Sequence, residues 1–238
     1  MISLYFVTSP NVYKVAIALE EMGLEHQLIP VDLSKGEHRD PANLAGANTG
    51  KVPVITDDNP ADGGAPLTVF ESGAILQYLG EKTGSFLSSN LRHRLETMQW
   101  LFWQMGGLGP IGGQAWHFLA FAPKVAPSVD NTYSFNRYFN MWVSHWRTLE
   151  GQLADHEYIA GDYSIADMAC FPWISYLDPR EGTAQFPNVC RWREAIAARP
   201  AVRTAYSKGA ALNTGYERNE KGVTLFPWEG LLENVIVV

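Results

Sequence analysis

The sequence predicts a two-domain α+β protein, with a small mixed-sheet domain over residues 1–83 and an all-helical domain over residues 91–208. Strand patterns occur only in the first domain, where alternating or β-branched runs are separated by segments of helical periodicity. From about Leu91 onward these patterns disappear, and long segments with helical spacing take their place. Residues 209–238 form a tail rich in glycine and asparagine that fits neither pattern.

The first domain opens with a β–α–β pattern. Ile2–Phe6 alternates like a strand, and Ser9 with Pro10 is typical of a helix start, with serine as N-cap and proline at the first helical position. Apolar residues then recur at helical spacing until Gly23, and residues 27–33 read as a second strand. A β–α–β unit implies two parallel strands joined by a right-handed crossover.

The rest of this domain reads as two more strands and a helix. Residues 34–50 are polar and predict a loop with a short helix. Val52–Thr56 and Leu67–Phe70 predict an antiparallel hairpin, and Ser72–Lys82 carries apolar residues on one helical face.

The second domain begins with two long helical segments, 91–105 and 132–153. The glycine-rich run 106–113 should interrupt or kink the first of them. Ser164–Asp167 is a capping box for a later helix. Pro172 predicts a kink in that helix, and Pro187 and Pro200 each predict the start of a further short helix.

Composition excludes several classes of protein. Lys+Arg is 18 against Asp+Glu 25, a net charge of -7, which does not suit nucleic-acid binding. The hydrophobic content of 46% supports a full core. No apolar run reaches the ~18 residues that span a membrane, and no signal peptide is visible. The two cysteines make no disulfide framework, so we expect a soluble protein of the reducing cytoplasm.

Two short segments predict a ligand site. Pro53 has no N–H for a sheet ladder, so the backbone groups of Val52 are free to pair with an extended peptide. Glu71 and Ser72 stand where a helix begins, among unpaired N–H groups that attract a carboxylate. Together with Lys51 these residues predict a cradle for a small, charged, peptide-like ligand, although a buried strand and an acidic helix cap would also explain them.

The order of these motifs resembles that of the cytosolic glutathione transferases, whose first domain is thioredoxin-like. The matching segments are Ser9–Asn11, Lys51–Pro53, Phe70–Ile75 and Ser164–Asp167. Within that family the chain is most similar to the bacterial Nu class, the Ure2p-like glutathione-dependent disulfide-bond oxidoreductases. Residues 100–110 and 60–64 carry this narrower resemblance.

The resemblance implies that glutathione is the co-substrate. Val52, ahead of a cis Pro53, would pair its backbone with the cysteinyl part. Ser72 would hold the γ-glutamyl carboxylate and Glu71 the ammonium. Lys51 and His38 would reach the glycyl carboxylate.

The thiol would lie at the start of the first helix. A helix N-terminus and hydrogen-bond donors lower a thiol pKa, and Asn11, Ser9 and Thr8 offer such donors. None of them is a strong base, so their role would be to stabilise the thiolate. Ser9 could also be a simple cap, and Tyr5, a rival donor in other classes, reads as core from its strand alternation.

The resemblance also bears on the residues that would bind the second ligand. Nu-class relatives carry an arginine where this chain has Thr132, and Arg137 is the candidate substitute. Trp116, Phe118 and Trp173 are the preferred lining of the pocket for the second substrate, although core packing would also explain them. Other aromatic candidates are Trp103, His117, Phe121 and Tyr176.

The resemblance favours reduction of a small disulfide, or attack on an electrophile, by glutathione and without a protein cysteine. Cys170 and Cys190 read as inert, no C-x-x-C pair is present, and the histidines show no metal spacing. Alternatives are a glutathione lyase or etherase acting on aromatic ethers, or a non-catalytic glutathione-binding protein. The resemblance also implies a homodimer, and nothing predicts a nucleic-acid or membrane partner.

Overall fold

The first domain is built on a mixed sheet. In the computed structural model, which describes residues 1–33, 35–174 and 185–212, this sheet has four strands in the order β2–β1–β3–β4. The strands are β1 (Ile2–Phe6), β2 (His26–Pro30), β3 (Val54–Asp57) and β4 (Leu67–Phe70). β1 is parallel to β2 and antiparallel to β3, and β3 is antiparallel to β4, as the β–α–β and hairpin patterns predict.

Two helices complete this domain, α1 (Pro10–Glu21) and α2 (Ser72–Thr83). Two strands differ from the prediction. β2 is shifted towards the N-terminus relative to residues 27–33. β3 begins only at Val54, because Pro53 has no N–H to give to the ladder. Short 3₁₀ helices at Glu37–Arg39 and Pro41–Leu44 occupy the polar loop.

The second domain is built from helices. Its elements are α3 (Leu91–Trp103), α4 (Gly109–Trp116), α5 (Ala122–Val125), α6 (Thr132–Gln152), α7 (Ile165–Ile174), α8 (Pro187–Ala197) and α9 (Pro200–Ala211). The described loop between α6 and α7 adds two isolated β-bridges. Pro187 and Pro200 open their helices as predicted, and α7 continues through Pro172 to Ile174. Residues 209–211 belong to α9 and not to the tail. Tyr176 and the tail beyond residue 212 lie outside the described residues.

The glycine-rich run does not break the helix. Gln104–Leu108 forms a π-helical turn between α3 and α4, and His117–Phe121 forms another between α4 and α5. π turns keep the backbone helical while shifting which side chains face a neighbour, and they are frequent at functional sites. The predicted interruption is therefore replaced by a helical run from Leu91 to Val125 with two π turns.

The capping box of α7 is confirmed and extends further than predicted. The Asp167 carboxylate accepts hydrogen bonds from the backbone N–H groups of Ser164 (2.9 Å) and Ile159 (3.0 Å), from the Ser164 hydroxyl (3.2 Å) and from the Trp192 indole (2.8 Å). Asp167 is fully buried, and these four donors satisfy its carboxylate; the one from Trp192 holds the start of α7 to α8.

Helix α1 joins the two domains. Every residue from Val12 to Leu19 is buried, because the helix packs on α2 of its own domain and on α7 and α9 of the other. At its C-terminal end Glu21 accepts a bidentate pair from Arg199 (2.5 and 2.8 Å), whose guanidinium lies 3.9 Å above the Tyr163 ring. Charged fork–fork pairs of this kind add geometric specificity to the contact.

In the described part of the chain, no helix is long and apolar enough to cross a membrane.

Candidate active site

Two cavities lie between the domains. A polar cavity of about 1000 Å³ runs from α1, the Lys51–Pro53 loop and the start of α2 to the π turn and α4. A smaller cavity of about 410 Å³, with a mostly apolar lining, lies against residues 7–11 at the start of α1. Their shared lining residues are Asn11, Lys51, Val52, Gly113 and Trp173.

Asn11 stands where the two cavities meet, and its amide has a defined orientation. The Trp173 indole N–H donates to Asn11 Oδ1 at 3.0 Å. Because an indole nitrogen is only a donor, the amide oxygen must face Trp173, and the amide NH₂ must point away from it. The first turn of α1 therefore presents an oriented donor, next to unpaired backbone N–H groups, where the sequence predicts the thiol.

Ser9 caps α1, as predicted: its Oγ accepts from the Val12 N–H at 3.4 Å. Thr8 and Ser9 line the apolar cavity but not the polar one. The structure therefore places all three predicted thiolate donors at one helix start, with Asn11 alone of the three facing both cavities.

The loop before β3 has the predicted form. The Val52–Pro53 peptide bond is cis, and Val52 lies outside the ladder that pairs β3 with β1 and β4. Val52 and Pro53 both line the polar cavity, and Lys51 is exposed at its rim. A residue whose backbone is outside the ladder, and so available for antiparallel pairing with a peptide, thus lines the cavity.

Glu71 adopts a conformation that is costly for a residue with a side chain. It is the N-cap of α2, with φ 69° and ψ 116°. Strained backbone at non-glycine residues clusters at ligand sites. The adjacent Ser72 is only 3% exposed and begins the helix, where backbone N–H groups have no partner within the helix, and both residues line the polar cavity.

Lys14 is the site residue that the sequence analysis missed. It follows Asn11 by one turn of α1 and is 1% exposed. Its ammonium donates to Gln104 Oε1 at 2.6 Å and to Ser72 Oγ at 3.3 Å, and it lies 3.4 Å from Met105 Sδ. The available signal was a lysine inside a helical segment whose neighbours Val12, Tyr13, Val15 and Ala16 are all apolar or aromatic.

The charges of the polar cavity are unlike those of the whole chain. Among the described residues that line it, the lysine, arginine, aspartate and glutamate side chains are Lys14, Lys51 and Glu71, two basic groups and one acidic group. The chain as a whole carries a net charge of -7. This excess of basic side chains at one cleft favours a ligand with more carboxylates than amines.

His38 lies on the apolar cavity, on the 3₁₀ turn Glu37–Arg39. Its Nδ1 is buried and has no hydrogen-bond partner among the described residues. Lys51 lines both cavities, so His38 and Lys51 share one wall of the smaller cavity.

The structure brings some of the predicted second-substrate residues to the cavities and not others. Trp116 lines the apolar cavity, and Trp173 lines both. Phe118 lines neither, because the π turn carries its ring onto Tyr138, where the two stack with centroids 5.6 Å apart. Arg137 also lines neither: it is exposed, and its neighbour Tyr138 faces the polar cavity instead.

The glycines of α4 allow close contact with large rings. A Cβ at Gly112 would lie 2.9 Å from Trp142 Nε1 and 3.2 Å from Trp173 Cε3. A Cβ at Gly109 would lie 2.7 Å from Gln104 Nε2. The glycine-rich run therefore serves packing around the cavities and not a helix break.

We expect Gly112→Ala to destabilise the protein by about 1–3 kcal/mol and to lower activity, because the buried Trp142 ring has no room to move. Gly106→Ala is the matched control. It lies in the neighbouring π turn with no atom within 4 Å of a Cβ, so it should be neutral or stabilising by up to about 1 kcal/mol. Urea unfolding of both variants measures the difference; equal effects would contradict this role for Gly112.

Neither cysteine lines either of the two cavities. Cys170 is buried on α7, and burial raises the pKa of its thiol far above the usual range. Cys190 lies on α8 and lines neither cavity. In residues 1–33, 35–174 and 185–212 no group of His, Cys, Asp and Glu side chains is arranged to hold a metal ion.

Comparison with known proteins identifies the family to which this chain belongs. The model for the glutathione S-transferase N-terminal domain matches residues 8–82, and that for the C-terminal domain matches residues 146–200. The disulfide-bond oxidoreductase YfcG of Escherichia coli is 45% identical over 222 residues, which are 92% of this chain and 100% of YfcG.

Solved structures agree with this assignment. A glutathione transferase family member from Pseudomonas fluorescens, with two glutathione bound, has a TM-score of 0.80 and 38% identity, covering 86% of this chain and 91% of that one. A glutathione transferase from Pseudomonas putida, with one glutathione disulfide bound per subunit, has a TM-score of 0.78 and 38% identity, covering 86% and 90%. The chain belongs to the glutathione S-transferase family and is a YfcG-like member of it.

Proposed function

We propose that this protein uses glutathione to reduce small disulfides. The observation that carries the proposal is the match between the polar cavity and the tripeptide. Glutathione has two carboxylates and one ammonium, and the cavity offers Lys14, Lys51 and Glu71. The names of YfcG, a disulfide-bond oxidoreductase, and of neighbours with bound glutathione or its disulfide support the same reaction.

Glutathione lies across the polar cavity in this proposal. Its cysteinyl backbone pairs with Val52, its γ-glutamyl carboxylate meets Ser72, and its ammonium meets Glu71. Lys51 holds the glycyl carboxylate, with His38 close by on the apolar side. The thiol then lies at Asn11.

The protein's chemical role is to keep this thiol ionised. The Asn11 amide NH₂, the start of α1 and the hydroxyls of Ser9 and Thr8 lower its pKa. The thiolate attacks one sulfur of the substrate disulfide, forming a glutathione mixed disulfide and releasing the other sulfur as a thiolate. A second glutathione thiolate attacks the mixed disulfide, yielding glutathione disulfide and the second substrate thiolate.

We expect Ser9→Ala combined with Asn11→Ala to lower kcat for a small mixed disulfide by about 100-fold or more, the usual cost of losing oriented donors to a developing anion. Cys190→Ser is the matched control, and it should retain full turnover because no protein thiol takes part. Full activity in the double variant would refute this mechanism, and loss of activity in Cys190→Ser would point to a protein sulfur.

The apolar cavity supports a second candidate function. Trp116, Phe121 and Trp142 line it beside Asn11, which suits an aryl group next to the thiolate. A glutathione lyase or etherase that cleaves aromatic ethers would use such a pocket. Incubation with glutathione and a panel of aryl ethers distinguishes the two functions, because only the lyase or etherase forms a glutathione conjugate.

We also propose that the protein is a homodimer of the reducing cytoplasm. The side chains of Leu91, Leu95 and Phe102 lie on one face of α3 and are 69%, 50% and 66% exposed. Leu67 and Phe70 on the edge strand β4 are 39% and 45% exposed. Exposed apolar faces of this kind mark interaction surfaces.

Sedimentation should therefore show a dimer for the wild type, and we expect Phe102→Glu to shift it towards monomer because a carboxylate would be buried at the interface. Tyr133→Glu is the control, since Tyr133 is 76% exposed on α6 and outside this face. A wild type that sediments as a monomer would refute the proposal.

A further inference from the structure

Lys14 is a buried lysine without a carboxylate partner among the described residues. It is 1% exposed, and among the described residues no acidic side chain lies within ion-pair distance of it. The titratable groups that act on it are Glu71 at the start of α2 and Cys170 on α7. The carboxylates at the far end of α1, Glu20 and Glu21, are paired with Lys208 and Arg199.

The contacts of Lys14 orient Ser72. The Lys14 ammonium donates to Gln104 Oε1 at 2.6 Å and to Ser72 Oγ at 3.3 Å. Since Ser72 Oγ accepts from the lysine, its own hydroxyl proton is directed to another acceptor, either the Met105 sulfur at 3.5 Å or a stronger acceptor in the cavity. A carboxylate bound at the start of α2 is such an acceptor.

We propose that Lys14 supplies, through Ser72, the buried positive charge that holds the γ-glutamyl carboxylate of the ligand. The inference rests on the proposed function, since it takes the ligand to be a glutathione. Lys51 then binds the glycyl carboxylate, and Glu71 binds the ammonium. Lys14 is a positioning residue here, because it acts on the ligand through the Ser72 hydroxyl.

This arrangement couples ligand binding to protonation. Burial lowers the pKa of Lys14 to about 7 in the empty site, so much of the amine is uncharged just above neutral pH. A bound carboxylate favours the charged amine and raises this pKa. The complex therefore holds more protons than the free protein, and affinity falls as pH rises above about 7, by at most about tenfold per pH unit.

Calorimetry with S-methylglutathione tests the inference. This ligand has no thiol to ionise, so its binding reports the carboxylates and the ammonium alone. At pH 7.5 we expect the wild type to take up about half a proton or more, seen as a binding enthalpy that varies with the ionisation enthalpy of phosphate, Hepes and Tris buffers. Lys14→Met should bind at least about tenfold more weakly, with no proton uptake.

Two further variants separate Lys14 from its neighbours. Lys14→Arg keeps a permanent charge, so it should bind without proton uptake even if Lys14→Met folds poorly. Lys51→Gln should weaken binding but leave the uptake in place. Wild-type binding with buffer-independent heat, or uptake that persists in Lys14→Met, would overturn the role of Lys14 and leave the proposed function standing. Failure of the wild type to bind S-methylglutathione would instead refute the proposed function.

Discussion

Asn11→Asp is expected to lower disulfide turnover by about 1000-fold, the upper end of what loss of one oriented donor costs. The change is isosteric, so one carboxylate oxygen still accepts from the Trp173 indole, as Oδ1 of Asn11 does at 3.0 Å. The other oxygen then replaces the amide NH₂ that the proposed mechanism places next to the sulfur. A negative charge next to a thiolate raises the thiol pKa instead of lowering it.

The thiol pKa of bound glutathione is the direct measurement. Ultraviolet absorbance of the thiolate against pH should move to higher pH in Asn11→Asp, and the pH profile of kcat should move with it. Asn136→Asp makes the same change at an exposed position of α6 and should leave both profiles unchanged. Turnover near the wild-type value in Asn11→Asp would mean that the sulfur lies elsewhere.

Trp173→Phe extends this test to the residue that orients the amide. The phenyl ring keeps an aromatic wall on both cavities but has no N–H for Asn11. A shift of the bound thiol pKa in the same direction, smaller than that of Asn11→Asp, would show that the indole contributes to catalysis by orienting the amide.

Asp167→Ala is expected to cost about 3–5 kcal/mol in the free energy of unfolding, because buried donors would lose their acceptor. Four hydrogen bonds end on this carboxylate, one of them from Trp192 on α8. Burial raises the pKa of Asp167 to about 6 although its donors favour the charged form, so the carboxylate is ionised at pH 7.5.

Urea unfolding at pH 7.5 measures this cost. Asp155→Ala, at an exposed position just after α6, should change stability by no more than about 0.5 kcal/mol. A cost for Asp167→Ala as small as that of the control would show that the donors find other acceptors.

Local patterns predicted the parts of the fold that depend on neighbouring residues. The capping box at Ser164–Asp167, the hairpin of β3 and β4 and the proline starts of α8 and α9 all follow from short segments. Local patterns also predicted the cradle residues Lys51–Pro53, Glu71 and Ser72, which all line the polar cavity, because each stands at a strand or helix start.

What the sequence could not predict depends on residues far apart in the chain. Trp173 and Asn11 are separated by 162 positions, and no local period connects them. Lys14 was missed because a lysine in a helix is usually solvated, and only the packing of α2 and the π turn over it buries this one. Phe118 was misplaced because the π turn changes the face on which each side chain lies.

The burial of α1 bears on whether the two domains can fold separately. The helix belongs by sequence to the first domain, yet much of its surface is covered by α7 and α9 of the second. Even Gly209 of α9 is so close that a Cβ there would meet the Tyr13 hydroxyl at 2.6 Å. Expressed alone, the first domain would expose this apolar face to water and be prone to aggregate. The boundary visible in the sequence therefore separates two patterns of secondary structure, and we expect neither part to fold alone.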